Sequence, residues 1–410
     1  MVIKRGVLPN LNLDRKDFIL KLAMVCDSFP PKRSSVSIHM DDLSKFFQEK
    51  GHQVSVFTPD ETLTELSFLD TSANVEVLRC RIPRIGESPM IKRLLIELAY
   101  PYYFYRACKN SSFDVKKFDG IVWYSPSIFF GFFIYYLKYK SKCRAYLILR
   151  DVFPKWALDL KIITKWTYWT VNIFALLQYK IADRIGVNSP SSKVLLEKHS
   201  FLSDKCEVLW TWLRAGFPSR VSSLVQENGL ITFIYTGNMG VAQDVFLFGN
   251  LAKNLKAESK VRFLFYGRGS EKQKFENFVR DANLLNVQVN DEISPEVLSR
   301  LFGYCSIGMV ALDIRHTTSN IPGKFLSYME AGLPVLAKVN PGNDLIDLIE
   351  KYDVGTVVTT DSIHDLENAA LELCRKIKAD EFISERCLRL AREVFCVEKA
   401  TQQIIETFSK

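Results

Sequence analysis

The chain has 410 residues, with 54 Lys+Arg against 46 Asp+Glu and a formal charge of +8. At 48% hydrophobic and 24% charged, with only 19 Gly and 15 Pro, it is not a disordered, collagen-like or low-complexity sequence. Its length suits two or three domains, each able to bury its own core. Nine cysteines without a C-x-x-C pair fit neither a disulfide framework nor a zinc ribbon, and suit a reducing cytosol. The first seventeen residues are polar and charged, so no signal peptide is expected.

Phe18–Cys26 is an apolar run of strand length stopped by Asp27-Ser28-Phe29-Pro30-Pro31. A helix is predicted over Ile38–Lys50 with Gly51 as its C′ glycine, then a strand over Gln53–Thr58. Further strands are predicted at Val75–Leu78, Gly120–Tyr124, Ala145–Leu149 and Arg184–Val187. Near-continuous apolar strands alternating with helices indicate a parallel sheet covered on both faces. After a turn-rich break at Leu213–Asn228 the pattern restarts, with strands at Leu230–Tyr235, Val261–Tyr266, Val287–Val289, Ile307–Ala311, Val335–Lys338 and Thr356–Val358. The expected fold is α/β: two doubly wound domains facing a central cleft, over 1–215 and 216–394.

One stretch bears on membranes. Gly120–Leu137 is an uncharged run of 18 residues, but Ser125-Pro126-Ser127 interrupts it, so it is not read as spanning. Between Lys92 and Lys180 there are 15 Lys+Arg against 5 Asp+Glu, interleaved with aromatic residues such as Tyr102, Tyr135, Trp166 and Trp169. That composition suits a protein resting on an anionic membrane surface, although a basic flank over buried helices would read the same way.

In doubly wound sheets ligands bind at the carboxyl ends of the strands, so the residues just after each strand are site candidates. Gly237-x-x-Gly240 joins a strand to a helix, where bare amides favour a phosphate, and Gly267-Arg268-Gly269 repeats the geometry with a cation. Neither is a dinucleotide fingerprint or a Walker loop, and tight turns needing glycine would look alike. The densest segment is Asp313–Pro334, where Thr318, Ser319 and Asn320 lead into Pro322-Gly323-Lys324 and a helix. A lysine in a helix's first turn opposes the macrodipole unless it and the amides grip one anion, with Ser327 and Tyr328 a turn further on. Arg150-Asp151 closes the strand Ala145–Leu149, where a carboxylate can receive a proton from a hydroxyl or simply pair with its arginine. There is no D-x-D and no metal spacing among the five histidines, so no metal or cofactor is expected. A leaving diphosphate would then be met by amides, Lys and Arg.

These segments together resemble the GT-B glycosyltransferases of family 4 over essentially the whole chain. The likeness rests on Asp27–Pro31, Gly51-His52-Gln53-Val54, Tyr235–Gly240, Gly267–Ser270, Asn320–Lys324 and Ala331-Gly332-Leu333-Pro334-Val335. Phe395–Phe408, within 395–410, resembles the family's final helix, which crosses back to complete the first domain. Arg150–Ala157, Ala242-Gln243-Asp244, Arg315-His316 and Asn340–Asp344 carry a narrower resemblance, to the WbuB-like N-acetyl-L-fucosamine transferases of bacterial O-antigen and capsule assembly. Two features depart from the family pattern. Ser34-Ser35 stands where a glycine pair is common, and the usual Glu-x7-Glu falls on Ser319 and Ser327, with Glu330 three residues later.

The resemblance implies a hexosyltransferase-type enzyme using a UDP-linked amino sugar. Its acceptor would be a saccharide on undecaprenyl diphosphate at the cytoplasmic face of the membrane, with no nucleic acid partner. Lys324 and Arg268 would bind the donor diphosphate, with Gly237, Asn238 and Gly240 beside it. Thr318, Ser319, Asn320, Ser327 and Glu330 would complete the donor site. Asp27, Ser34, Ser35, Arg150 and Asp151 would hold the acceptor, Asp151 orienting or deprotonating its hydroxyl. A GT-B-like epimerase of UDP-N-acetyl sugars and a non-catalytic partner subunit are the competing expectations.

Overall fold

The computed structural model describes residues 19–409 except 33, 72–74, 86–89, 112, 126, 160–162, 214–222, 241–242 and 314–320. The first sheet holds β1 (Lys21–Val25), β2 (Gln53–Asp60), β3 (Ser67–Asp70), β4 (Glu76–Arg81), β5 (Gly120–Ser125), β6 (Arg144–Leu149), β7 (Arg184–Val187) and β8 (Cys206–Val208). Its spatial order is β3-β4-β2-β1-β5-β6-β7-β8, parallel throughout except the β3–β4 pair. Its helices are α1 (Ser35–Glu49), α2 (Met90–Leu98), α3 (Tyr100–Asn110), α4 (Gly131–Ser141), α5 (Lys155–Asp159), α6 (Lys165–Ile181) and α7 (Pro190–Glu197).

Alternation along the strands sends side chains to two separate cores. Ala23, Val25, Ile121 and Trp123 face Phe104 of α3, Phe133 of α4 and Ala175 of α6. Leu22, Met24, Val122 and Tyr124 face Met40, Leu43 and Phe47 of α1.

The second sheet holds β9 (Ile231–Thr236), β10 (Val261–Tyr266), β11 (Val287–Asn290), β12 (Ile307–Ala311), β13 (Val335–Lys338) and β14 (Gly355–Val358), all parallel in the order β11-β10-β9-β12-β13-β14. Its chain also forms α8 (Val245–Asn254), α9 (Lys272–Asp281), α10 (Pro295–Phe302), α11 (Gly323–Ala331), α12 (Asp344–Tyr352), α13 (Ile363–Ala379) and α14 (Ile383–Val394). The chain then forms α15 (Val397–Glu406), which packs on α1 of the first domain, where Val397, Ala400 and Ile404 join the core around Met40. A bridge between Leu213 and Cys396 pins the start of this returning segment to the end of the first domain.

The parallel two-domain α/β expectation is met, with local differences that include two edge strands not expected, β3 and β8. The first helix begins at Ser35 rather than Ile38, because Ser34 caps it by accepting from the Ser37 N–H. The C-terminal segment turns at Cys396, where α14 has already ended, so the helix expected from Phe395 starts at Val397. Pro126 lies outside the described residues; on either side β5 ends at Ser125 and α4 begins at Gly131. No helix among the described residues is long and apolar enough to cross a membrane.

Candidate functional site

Strand order reverses at β1/β5 in the first sheet and at β9/β12 in the second, and doubly wound sheets open a crevice at such points. A cleft of about 540 Å³ lies between the domains there. The first domain contributes Ser35, His39 and Asp42 of α1, Tyr124 of β5, Arg150-Asp151 after β6, and Thr211-Trp212-Leu213. The second contributes Pro322-Gly323, Ser327 and Glu330 around α11. The fold thus gathers Ser35, Arg150, Asp151, Ser327 and Glu330, which the sequence separates by up to three hundred residues.

Lys324 sits just inside the start of α11, one residue beyond the cleft-lining Gly323. Its Nζ is buried without a hydrogen-bond partner and lies 3.5 Å from the centre of the Tyr235 ring. Burial pushes its pKa down from 10.5 to about 7. Tyr235 in turn donates its hydroxyl hydrogen to the Asn238 carbonyl at 2.6 Å, so lysine, aromatic ring and glycine loop form one assembly. Beneath it, the Tyr328 hydroxyl donates to the Ile234 carbonyl and accepts from the Thr236 N–H, both at 3.1 Å, fixing α11 to the end of β9.

The loop itself is not arranged as the sequence suggested. The amides expected to be bare are engaged: Gly237 N–H with the Tyr266 carbonyl, Met239 N–H with that of Arg268, and Gly240 N–H with Gln243 Oε1. Gln243 Oε1 also accepts from Asn238 Nδ2 at 3.0 Å. The two glycine turns are pressed together, so that a Cβ on Gly267 would stand 1.8 Å from the Gly237 carbonyl oxygen. Gly237 itself has φ +103, a conformation that suits glycine. Arg268, by contrast, points outward: it is 81% exposed and pairs with Glu292 at 3.1 Å. The structure therefore brings Lys324 and the glycine loop together and leaves the Arg268 guanidinium exposed, turned to Glu292. Thr318, Ser319 and Asn320, with Arg315 and His316, lie outside the described residues.

On the first domain, Asp27 follows β1 with one carboxylate oxygen buried and unpartnered. Burial first, then the nearby Glu97 charge, raises its pKa to about 6. It does not line the cleft, and neither does Ser34, whose hydroxyl donates to Ser28 Oγ at 2.9 Å while capping α1. Burial also raises the pKa of Asp151, while the Arg150 charge opposes the shift. Arg150 Nη1 and Trp212 Nε1 are both buried without a hydrogen-bond partner.

Sequence reasoning missed His39 and Trp212. His39 Nδ1 shares a 3.0 Å hydrogen bond with the Tyr124 hydroxyl, and its ring lies 5.3 Å from that of Trp212. Burial, helped by Arg150, holds this imidazole neutral with a pKa of about 3. Its position one turn into α1, on the face toward β5, was the available signal. Among the described residues no cluster of three or more His, Cys, Asp or Glu has metal-binding geometry.

Comparisons with known proteins follow the same outline. Residues 231–376, most of the second domain, match the family model described as Glycosyl transferases group 1. No curated protein matches the chain. Sucrose-phosphate synthase from Thermosynechococcus elongatus superposes with a TM-score of 0.70 at 12% identity, covering 95% of this chain and 98% of that one. HepE from Anabaena, solved with UDP and glucose, gives 0.66 at 14% identity, covering 95% and 100%. The lipopolysaccharide outer core galactosyltransferase WaaB gives 0.64 at 14%, covering 95% and 99%. The architecture is that of the GT-B glycosyltransferases. At such identities the likeness establishes the fold alone.

Proposed function

We propose that the protein is a glycosyltransferase that moves a sugar from a nucleotide sugar, held mainly by the second domain, to an acceptor held by the first. The observation that carries this reading is Lys324, whose buried amine has no hydrogen-bond partner and only the Tyr235 ring against it, beside the cleft. An unpaired buried cation costs stability unless a ligand supplies the counter-charge. A diphosphate does so, and charge that develops on it as the glycosidic bond breaks strengthens the contact in the transition state. Asp151, which lines the cleft and whose pKa burial raises, would orient the acceptor hydroxyl and take its proton. Arg268 would have a secondary role, closing on the diphosphate only if it leaves Glu292.

The family match over 231–376 and the UDP present in the HepE structure support a UDP-linked donor. The narrower motifs favour an amino sugar, N-acetyl-L-fucosamine, passed to a saccharide on undecaprenyl diphosphate during assembly of a bacterial O-antigen or capsule. The protein would then work peripherally at the cytoplasmic face of the membrane, without a metal. Thermal unfolding with UDP, ADP and GDP, each with and without Mg²⁺, tests the donor site. A selective ligand in hundredfold excess over its Kd adds about 2.7 kcal/mol to the native state. A metal-independent rise with UDP, absent in Lys324→Met, is the expected result. No rise with any nucleotide would overturn the reading.

A further inference from the structure

Helices α3, α4 and α6 pack side by side over one face of the first sheet. Their inner stripes are buried. Their outer stripes should be polar if they faced only water. Instead, Tyr102 of α3, Phe132, Tyr135 and Tyr139 of α4, and Trp166 and Trp169 of α6 are all exposed. Trp166 is 84% exposed and Tyr139 70%, values rare for side chains of this size. The spacing follows the helical repeat: Phe132, Tyr135 and Tyr139 on one helix, Trp166, Trp169 and Ile173 on the next. Single exposed apolar residues mean little, but outward aromatics on three adjoining helices amount to an aromatic face.

Charge identifies the partner. The three helices contain Arg106, Lys109, Lys138, Lys140, Lys165 and Lys180 and not one Asp or Glu. Lys138 is turned onto Asp183 at 2.6 Å, while Lys109, Lys140, Lys165 and Lys180 lie near helix ends and Arg106 lies mid-helix, all five exposed. Tyrosine and tryptophan prefer the boundary between water and acyl chains, and lysine and arginine seek anionic headgroups. We propose that the outer faces of α3, α4 and α6 form a docking surface for an anionic lipid bilayer, with Trp166 and Trp169 as its anchors. The inference deepens the proposed function, resting on that reading for its purpose: it names the surface on which a lipid-borne acceptor would be met. The docking itself stands on the patch alone.

Sedimentation of the full chain with vesicles of phosphatidylcholine, with and without phosphatidylglycerol, tests it. Binding should be at least about tenfold stronger with the anionic lipid and fall as salt rises. Tryptophan emission should shift to the blue on binding. The double substitution Trp166→Ser, Trp169→Ser should weaken binding by about tenfold or more while leaving the UDP-induced rise in Tm unchanged. A wild-type chain that stays in the supernatant, or a double variant that binds as wild type does, would overturn the proposal. So would a dimer in solution that the double substitution splits, since the face would then belong to a second copy. A chain that docks but shows no response to UDP would sink the donor site and leave the docking face standing.

Discussion

Lys324 and Asp27 share a problem: each is an ionisable group buried where its charge is poorly compensated. Folded Lys324 loses its proton near pH 7 and the unfolded chain near 10.5, so between those values the unfolded state holds more protons. Its contribution to stability therefore rises with pH across that window and is least favourable below it. A bound diphosphate restores the charge. Calorimetry at pH 8 in two buffers of different ionisation enthalpy should show uptake approaching one proton per UDP. Lys324→Met should show none and bind at least about tenfold more weakly. Asp27 has the opposite sign. Its pKa is raised to about 6, so ionisation is penalised and the fold loses stability as pH rises from the ordinary 3.8 through 6. Asp27→Asn should stabilise the protein at pH 8, by up to about 3 kcal/mol from the size of the shift, and make no difference below pH 3. Equal Tm differences at pH 8 and pH 3 would refute that.

The elements differ in how plainly the sequence announces them. Central strands such as β9 and β10 are near-continuous apolar runs, and no other element suits so short a buried segment. β3 escaped notice because Ser67-Phe68-Leu69-Asp70 is a short, half-exposed edge strand paired only with β4. Lys324 was legible through its conflict with the helix dipole, whereas its actual companion, the face of Tyr235, depends on packing across ninety residues of chain. The outward turn of Arg268 onto Glu292 is not legible in the sequence, because a Gly-Arg-Gly turn fixes where the backbone goes, not where the side chain points. His39 and Trp212 meet only when α1 and the segment after β8 are brought together over β5, which no local pattern encodes. The same glycine turns supply a test. Gly267→Ala would force the two loops apart at the Gly237 carbonyl, an overpacking that costs about 1–3 kcal/mol in thermal unfolding. Gly323→Ala, with open space around its Cβ, should cost far less.

At the scale of the whole molecule the cleft depends on how the domains are held. Ser191, in the first turn of α7, donates both its N–H and its hydroxyl to the Asp344 carboxylate at 3.1 and 2.8 Å, and Asp344 opens α12 of the other domain. One carboxylate thus serves two helix N-termini, an arrangement favoured by both dipoles. A double-mutant cycle of Ser191→Ala and Asp344→Ala should give a coupling of about 1–2 kcal/mol. Additive effects would mean the contact is incidental. The return of the chain to the first domain has a different consequence. Val397, Ala400 and Ile404 of α15 complete the core around Met40, and Phe408 sits over Gly120, where a Cβ would approach its ring to 2.7 Å. During synthesis the second domain can close on itself as soon as α14 has left the ribosome. The first domain is translated earlier but must wait, one flank of its sheet unsealed, until residues near 408 emerge. The domain that begins the chain is the last to be finished.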